Sequence, residues 1–147
     1  MLQVNIDIDT IKNDSRKHNV NLRKFARKML KRITEETVLD LKIAVSPHDK
    51  TGNIIAGIDE TYGSSAWERI VTISEAGFFL NTGSKPHWIP WAVAQEMAQY
   101  YGMTPEQFQR KIKKWGTRAF PFIDEILDEM DDRINKVIDE TAQEYNL

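Results

Sequence analysis

Residues 2 to 8 alternate Leu2, Val4, Ile6 and Ile8 with Gln3, Asn5 and Asp7. A period of two belongs to a strand with one buried face, so the chain is predicted to open with a half-buried strand. After a polar stretch holding Asn13, Asp14, Ser15 and His18, the residues Leu22, Phe25, Ala26, Met29, Ile33, Thr37, Leu41 and Ala44 recur at steps of three and four. That spacing predicts an amphipathic helix over about 20 to 45, about 38 Å long at 1.5 Å per residue, enough to lie across a small sheet. Ser46-Pro47 ends it, because the residue before a proline is pushed out of helical geometry.

From Thr51 to Gly83 the pattern shifts to short β-branched and aromatic runs broken by Gly and Ser. Three strands are predicted: Asn53 to Thr61, Trp67 to Ser74, and Gly77 to Asn81. The first two join through Tyr62-Gly63-Ser64-Ser65, and such short connections favour an antiparallel meander. Residues 84 to 90, Ser-Lys-Pro-His-Trp-Ile-Pro, carry two prolines and predict an exposed loop. Two short helices follow, Trp91 to Tyr101 and Thr104 to Trp115, separated by Gly102 and closed by Gly116. Thr104-Pro105-Glu106-Gln107 marks the second start, with a Thr cap, Pro in the first turn and Gln at the capping-box position. Ile123, Ile126, Leu127, Met130, Ile134, Val137, Ile138 and Tyr145 then share one face of a helix from about Pro121 to Glu144. Together these elements predict an α+β fold in a single domain, 1–147. An antiparallel sheet of about four strands would carry the long first helix and the C-terminal helix packed on one face, with a helical excursion at 84–116 projecting from it.

Composition narrows the classes. Twenty Lys and Arg against 22 Asp and Glu leave a net charge of −2, which excludes a uniformly basic nucleic-acid binder. With no cysteine there is no disulfide, thiol nucleophile or Cys-based metal site. The N-terminus has neither the basic start nor the apolar run of a signal peptide, and no stretch approaches the ~20 apolar residues of a membrane helix. A soluble chain made inside the cell is expected.

Charge is nevertheless uneven along the chain. Residues 11 to 45 hold ten Lys or Arg against four acids, a net of +6, whereas residues 121 to 147 hold two against nine, a net of −7. Either the two long helices pair with each other through these charges, or each polar face docks a separate partner.

Catalytic chemistry is thinly supported. Asp59, Glu60, Glu68 and Glu75 straddle both faces of the predicted strands and suit solvated strand ends better than a glycosidase pair. His18, His48 and His87 are far apart, and none has a second His or carboxylate three or four positions on in a helix, so no metal site is expected. Gly83-Ser84-Lys85 has the wrong order for a phosphate loop, and a proline follows where a helix should start. Arg110, Lys111, Lys113 and Lys114 beside Trp115 would suit single-stranded nucleic acid. A solvated basic face, with Phe108, Ile112 and Trp115 turned inward, is the simpler expectation. Among the other aromatics, Phe79, Phe122 and Trp115 are expected in the core. Trp88, flanked by Pro86, His87 and Pro90, is expected to touch a partner, with Lys85, His87 and Trp91 around it.

Three segments in order carry a resemblance. Ser46-Pro47-His48-Asp49-Lys50-Thr51-Gly52-Asn53-Ile54 is similar to the Ser-Pro-x-Asp-Thr-Gly-x-Leu of the tail-completion or neck proteins of long-tailed bacteriophages. Gly77-Phe78-Phe79-Leu80-Asn81-Thr82-Gly83-Ser84-Lys85-Pro86-His87 resembles that family's aromatic strand running into Gly-Thr-x-Pro-His. Gly116-Thr117-Arg118-Ala119-Phe120-Pro121-Phe122-Ile123 resembles the segment opening its last helix. The likeness spans nearly the whole chain. Lys50 interrupts the Asp-Thr-Gly run, Asn81 replaces a usual Glu and Ser84 a usual Thr. The resemblance implies a structural virion protein and no enzyme, with no cofactor. Its copies would form a ring of six on the head connector or stopper protein, facing the tail tube or tail terminator protein. No membrane and no specific nucleic acid would be involved. It would reside at the neck or tail top, and in the host cytoplasm during assembly. A tail terminator is the alternative within that class, and a small nucleic-acid-binding or adaptor module the alternative outside it. Within these motifs Thr51, Gly52, Gly83, Pro121 and Phe122 have architectural roles: glycines for sharp turns, a hydroxyl for a loose amide, a proline at a helix start and an aromatic anchor.

Overall fold

The computed structural model of the chain describes residues 2–4 and 21–145, and it is α+β. Strand β1 (Leu2–Val4) is followed by helix α1 (Asn21–Val45), a helical turn α2 (Asn53–Ala56), and strands β2 (Asp59–Tyr62) and β3 (Arg69–Thr72). Helix α3 (Glu75–Thr82) comes next, then α4 (Trp91–Ala98) with a 3-10 turn at Gln99–Tyr101, and α5 (Pro105–Trp115). The chain closes with α6 (Phe122–Asp128) and α7 (Met130–Glu144). The three strands among the described residues form one antiparallel sheet in the order β1-β3-β2, with Leu2 opposite Val71 and Tyr62 opposite Arg69. The predicted opening strand is present over 2–4, and its remainder, with the polar stretch around His18, lies outside the described residues.

Helix α1 is the spine. Its C-terminal half supplies Leu41 and Val45 to a core shared with Ile58, Val71 of β3, and Phe122 and Ile126 of α6. Its N-terminal half supplies Phe25, Met29 and Ile33 to a second core with Met130 and Val137 of α7. Burying such a stripe, at about 1.5–3 kcal/mol per large aliphatic side chain, holds a helix that propensity alone would leave marginal. Two buried threonines are satisfied within the helix, Thr34 donating to Leu30 O at 3.1 Å and Thr37 to Ile33 O at 2.7 Å. Polar residues thereby sit in the seam without stranding a hydroxyl.

The opposite charges of α1 and α7 meet. Arg32 bonds Glu140 at 2.7 Å, Glu144 at 3.0 Å and the Thr141 hydroxyl at 3.2 Å. Lys28 pairs with the same Glu144, and Arg133 of α7 pairs back to Asp40 of α1. The hydrogen bond from Lys28 holds the Glu144 carboxyl below its ordinary pKa, with the Lys28 and Arg32 charges acting in the same direction. Lys28–Glu144 is exposed and contributes little by itself, while Arg32 and Arg133 are partly buried, and together the pairs fix which faces of the two helices meet.

The structure corrects several expectations. The sheet has three strands among the described residues, not four. Gly77 to Asn81 is helical, because the Ser74 hydroxyl caps α3 by accepting from Gly77 N–H at 3.2 Å and Gly83 ends it. Asn53 to Ala56 is a helical turn, so the strand expected over Asn53 to Thr61 is confined to Asp59–Tyr62. The second strand likewise shrinks to Arg69–Thr72. The expected C-terminal helix is broken at Glu129 into α6 and α7. Asp128, Glu129, Asp131 and Asp132 crowd that point, and like charges three and four apart disfavour a continuous helix. The break lets Phe122 and Ile126 serve the sheet-side core while Met130 and Val137 serve the other.

Candidate interaction surface

The first resemblance-bearing segment is organised by Asp49. Its Oδ1 accepts from the Gly52 N–H at 2.8 Å and the Thr51 N–H at 3.3 Å, while Oδ2 accepts from the Ile55 N–H at 2.8 Å. The carboxylate thus satisfies amides that start α2 and would otherwise be loose. Thr51 Oγ1 accepts from Asn53 N–H at 3.3 Å, and Gly52 takes φ +79°, a left-handed conformation glycine adopts without a Cβ penalty. Both residues serve the sharp exit expected of them, into a helical turn rather than a strand.

The other two segments are tied together at their glycines. Gly83 has φ +70° and Gly116 φ +68°. A Cβ at Gly83 would lie 2.7 Å from Thr117 O, and one at Gly116 would lie 2.0 Å from Ser84 O, so neither position admits a side chain. Here Gly83 ends a helix, not the strand expected from the sequence. Ser84 and Thr117 exchange backbone hydrogen bonds at 3.1 and 3.2 Å, and Thr117 Oγ1 donates to Ser84 Oγ at 2.9 Å. This short ladder closes the base of the 84–116 excursion. Beside it, Phe120 N–H donates to Leu80 O at 2.8 Å, and Ile123 N–H donates to Asn81 Oδ1 at 2.8 Å. The His48 ring sits 4.0 Å from the Phe120 ring, which in turn stacks 6.2 Å from fully buried Phe122. All three segments therefore meet around Phe120. Pro121 precedes the first residue of α6, and Phe122 is the core anchor expected.

Beyond this base the excursion is a helical hairpin with its own small core of Ile89, Ala94, Ala98, Phe108 and Ile112. Helices α4 and α5 pack on each other rather than broadly on the rest. The expected capping box is present, Thr104 Oγ1 accepting from Gln107 N–H at 3.3 Å and Gln107 Oε1 accepting from Thr104 N–H at 3.0 Å. Buried Gln109 donates to Ile89 O at 2.9 Å and fastens the loop to α5.

Lys85, His87, Trp88 and Trp91 are all exposed. His87 Nδ1 donates to Lys85 O at 2.8 Å, which shapes the loop, and Trp88 is 61% exposed with the Lys113 ammonium 5.2 Å from its ring. Trp115, expected inside, is 67% exposed with Lys114 at 4.7 Å. It follows the last turn of a small core that ends at Ile112, so nothing remains to cover it. Phe79, also expected in the core, is outside as well, 46% exposed on α3 beside Phe78, their rings 5.9 Å apart. One further apolar pair was not singled out from the sequence, Leu39 and Ile43 on α1, both exposed. They stand four apart off the buried stripe, which was the available signal.

Of the carboxylates weighed for catalysis, Glu60 pairs with Arg69 at 3.5 Å and Glu68 accepts from the Ser64 N–H at 2.7 Å. Both thus serve the β2–β3 hairpin. Among the described residues no group of three or more His, Asp or Glu is placed to hold a metal ion, and no helix is long and apolar enough to cross a membrane. What the surface offers is contact area: exposed aromatic and aliphatic side chains on α1, α3 and the hairpin. No protein-family model, curated protein or solved structure matches the chain.

Proposed function

We propose that this protein is a structural virion component of a long-tailed bacteriophage that completes the neck, joining the head connector to the tail tube as a ring of copies. The observation that carries the reading is the exposure of large apolar side chains on three separate helical units: Leu39 and Ile43, Phe78 and Phe79, and Trp88 with Trp91. A ring subunit needs two different lateral surfaces for its neighbours and further surfaces for what lies above and below, and contact areas of this kind suit that demand. The convergence of the three resemblance-bearing segments around Phe120 supports the same reading, since it gives each an architectural task. In the assembly, the α1 and α3 surfaces face neighbouring subunits and the Trp88 loop reaches the connector. Six copies would match the ring the resemblance implies.

Deleting the gene from its phage and imaging the lysate by electron microscopy tests this. DNA-filled heads separated from finished tails of normal length are expected. Tails of uncontrolled length would make the protein a tail terminator instead, and normal particles would overturn a neck role.

A further inference from the structure

We infer that the outer face of α5 binds single-stranded nucleic acid without sequence preference. This does not depend on the neck reading. The hairpin with its base, residues 84 to 118, carries six Lys or Arg against two Glu, a net of +4 on a chain whose total is −2. Arg110, Lys111, Lys113 and Lys114 all lie on exposed positions of α5, because Phe108, Gln109 and Ile112 take the buried ones. Two tryptophan rings stand among these cations, each with an ammonium over it, Trp115 with Lys114 at 4.7 Å and Trp88 with Lys113 at 5.2 Å, whereas the Tyr101 ring is already stacked on Phe108 at 5.5 Å.

This pairing of flat ring and cation answers a polymer that alternates flat bases with phosphates. A base stacks on the exposed ring while the neighbouring ammonium meets its phosphate, the arrangement of sequence-tolerant single-strand binders. A duplex offers phosphates but hides its base faces, and a ring-free polyacid such as polyglutamate offers carboxylates but nothing to stack, so each would use only half of the surface. From the sequence alone, an inward Trp115 would leave this helix with a merely solvated basic face. At 67% exposure the ring is available instead.

The test is fluorescence anisotropy of a labelled 20-nucleotide oligo-dT titrated with the full chain, with tryptophan quenching followed in parallel. Binding with quenched tryptophan is expected. With four cations engaged, affinity should fall about 50-fold between 50 and 200 mM salt, and Lys113→Gln with Lys114→Gln should flatten that dependence by about half. Trp115→Ala should weaken binding at least about fivefold through lost stacking. All three positions are exposed, so unchanged circular dichroism should accompany each change, and binding is read on the isolated chain with no connector present. Absence of binding at 50 mM salt, equal affinity for the corresponding duplex, equal competition by polyglutamate, or wild-type affinity in Trp115→Ala would each overturn the assignment.

Discussion

Asn81 and Asp124 meet across 43 positions of sequence, Asn81 Nδ2 donating to Asp124 Oδ2 at 3.2 Å. The same amide accepts from Ile123 N–H through its Oδ1, so one buried side chain holds the first turn of α6 against the end of α3. Replacing it with Ala leaves that N–H without its partner. Asn81→Ala should therefore lower stability by about 1–3 kcal/mol, read as a shift in the urea midpoint with little change in slope.

The two glycines at the base of the hairpin should be unequal to a third. Gly83→Ala and Gly116→Ala each force a left-handed alanine and a Cβ into backbone atoms of the facing segment. Losses of about 2 kcal/mol or more are expected in thermal unfolding. Gly102 also has positive φ, but a Cβ there would meet nothing within 4 Å, so Gly102→Ala should cost only about 1 kcal/mol. Equal effects at all three would mean that the close approach at Ser84 and Thr117 is not what holds the hairpin.

The charged seam between α1 and α7 predicts a direction with pH. Glu144 is held below its ordinary pKa mainly by its hydrogen bond from Lys28. A depressed carboxyl favours the folded state above its unfolded pKa, and that contribution disappears as pH falls through the folded value. Stability should decline across the acid range, and Glu144→Gln should flatten part of that decline. High salt should have the same sense of effect, because the pair is exposed and screened. An identical acid profile in wild type and Glu144→Gln would show that this seam does not contribute.

On the proposed neck role, Trp88 would separate assembly from folding. It is 61% exposed, so Trp88→Ala should leave the thermal midpoint of the monomer within about a degree or two while impairing ring formation or attachment to the connector. A loss of several kcal/mol, as large-to-small changes in a core give, would place the side chain in a packing role. Phe122→Ala is the contrast: fully buried, it should cost about 3–5 kcal/mol.

Much of this architecture was legible in the chain, and the misses have physical causes. Helices α1 and α5 announce themselves through a long buried stripe and a Thr104–Gln107 box, and both lie within a residue or so of their expected bounds. Helix α3 did not, because eight residues are too few to show a helical period and Phe78-Phe79-Leu80 has strand-like composition. Ser74 and Gly83 were the signals that bracket it. Trp115 lies three residues after buried Ile112, so periodicity turned it inward, yet periodicity says nothing of where a small core ends. At the candidate surface, the exposure of Trp88 and Trp91 followed from the proline-rich loop. The seat of His48 on Phe120 could not be read, since only folding brings the first and third segments together.

The most direct measurement is extract complementation: purified protein added to a lysate of the phage lacking this gene, scored by infectious titre and by electron microscopy. The neck account predicts that separate heads and tails become joined particles and that titre rises with added protein. Heads and tails that stay apart while a plasmid-borne copy of the gene restores growth would contradict it, placing the protein's action before the joining step.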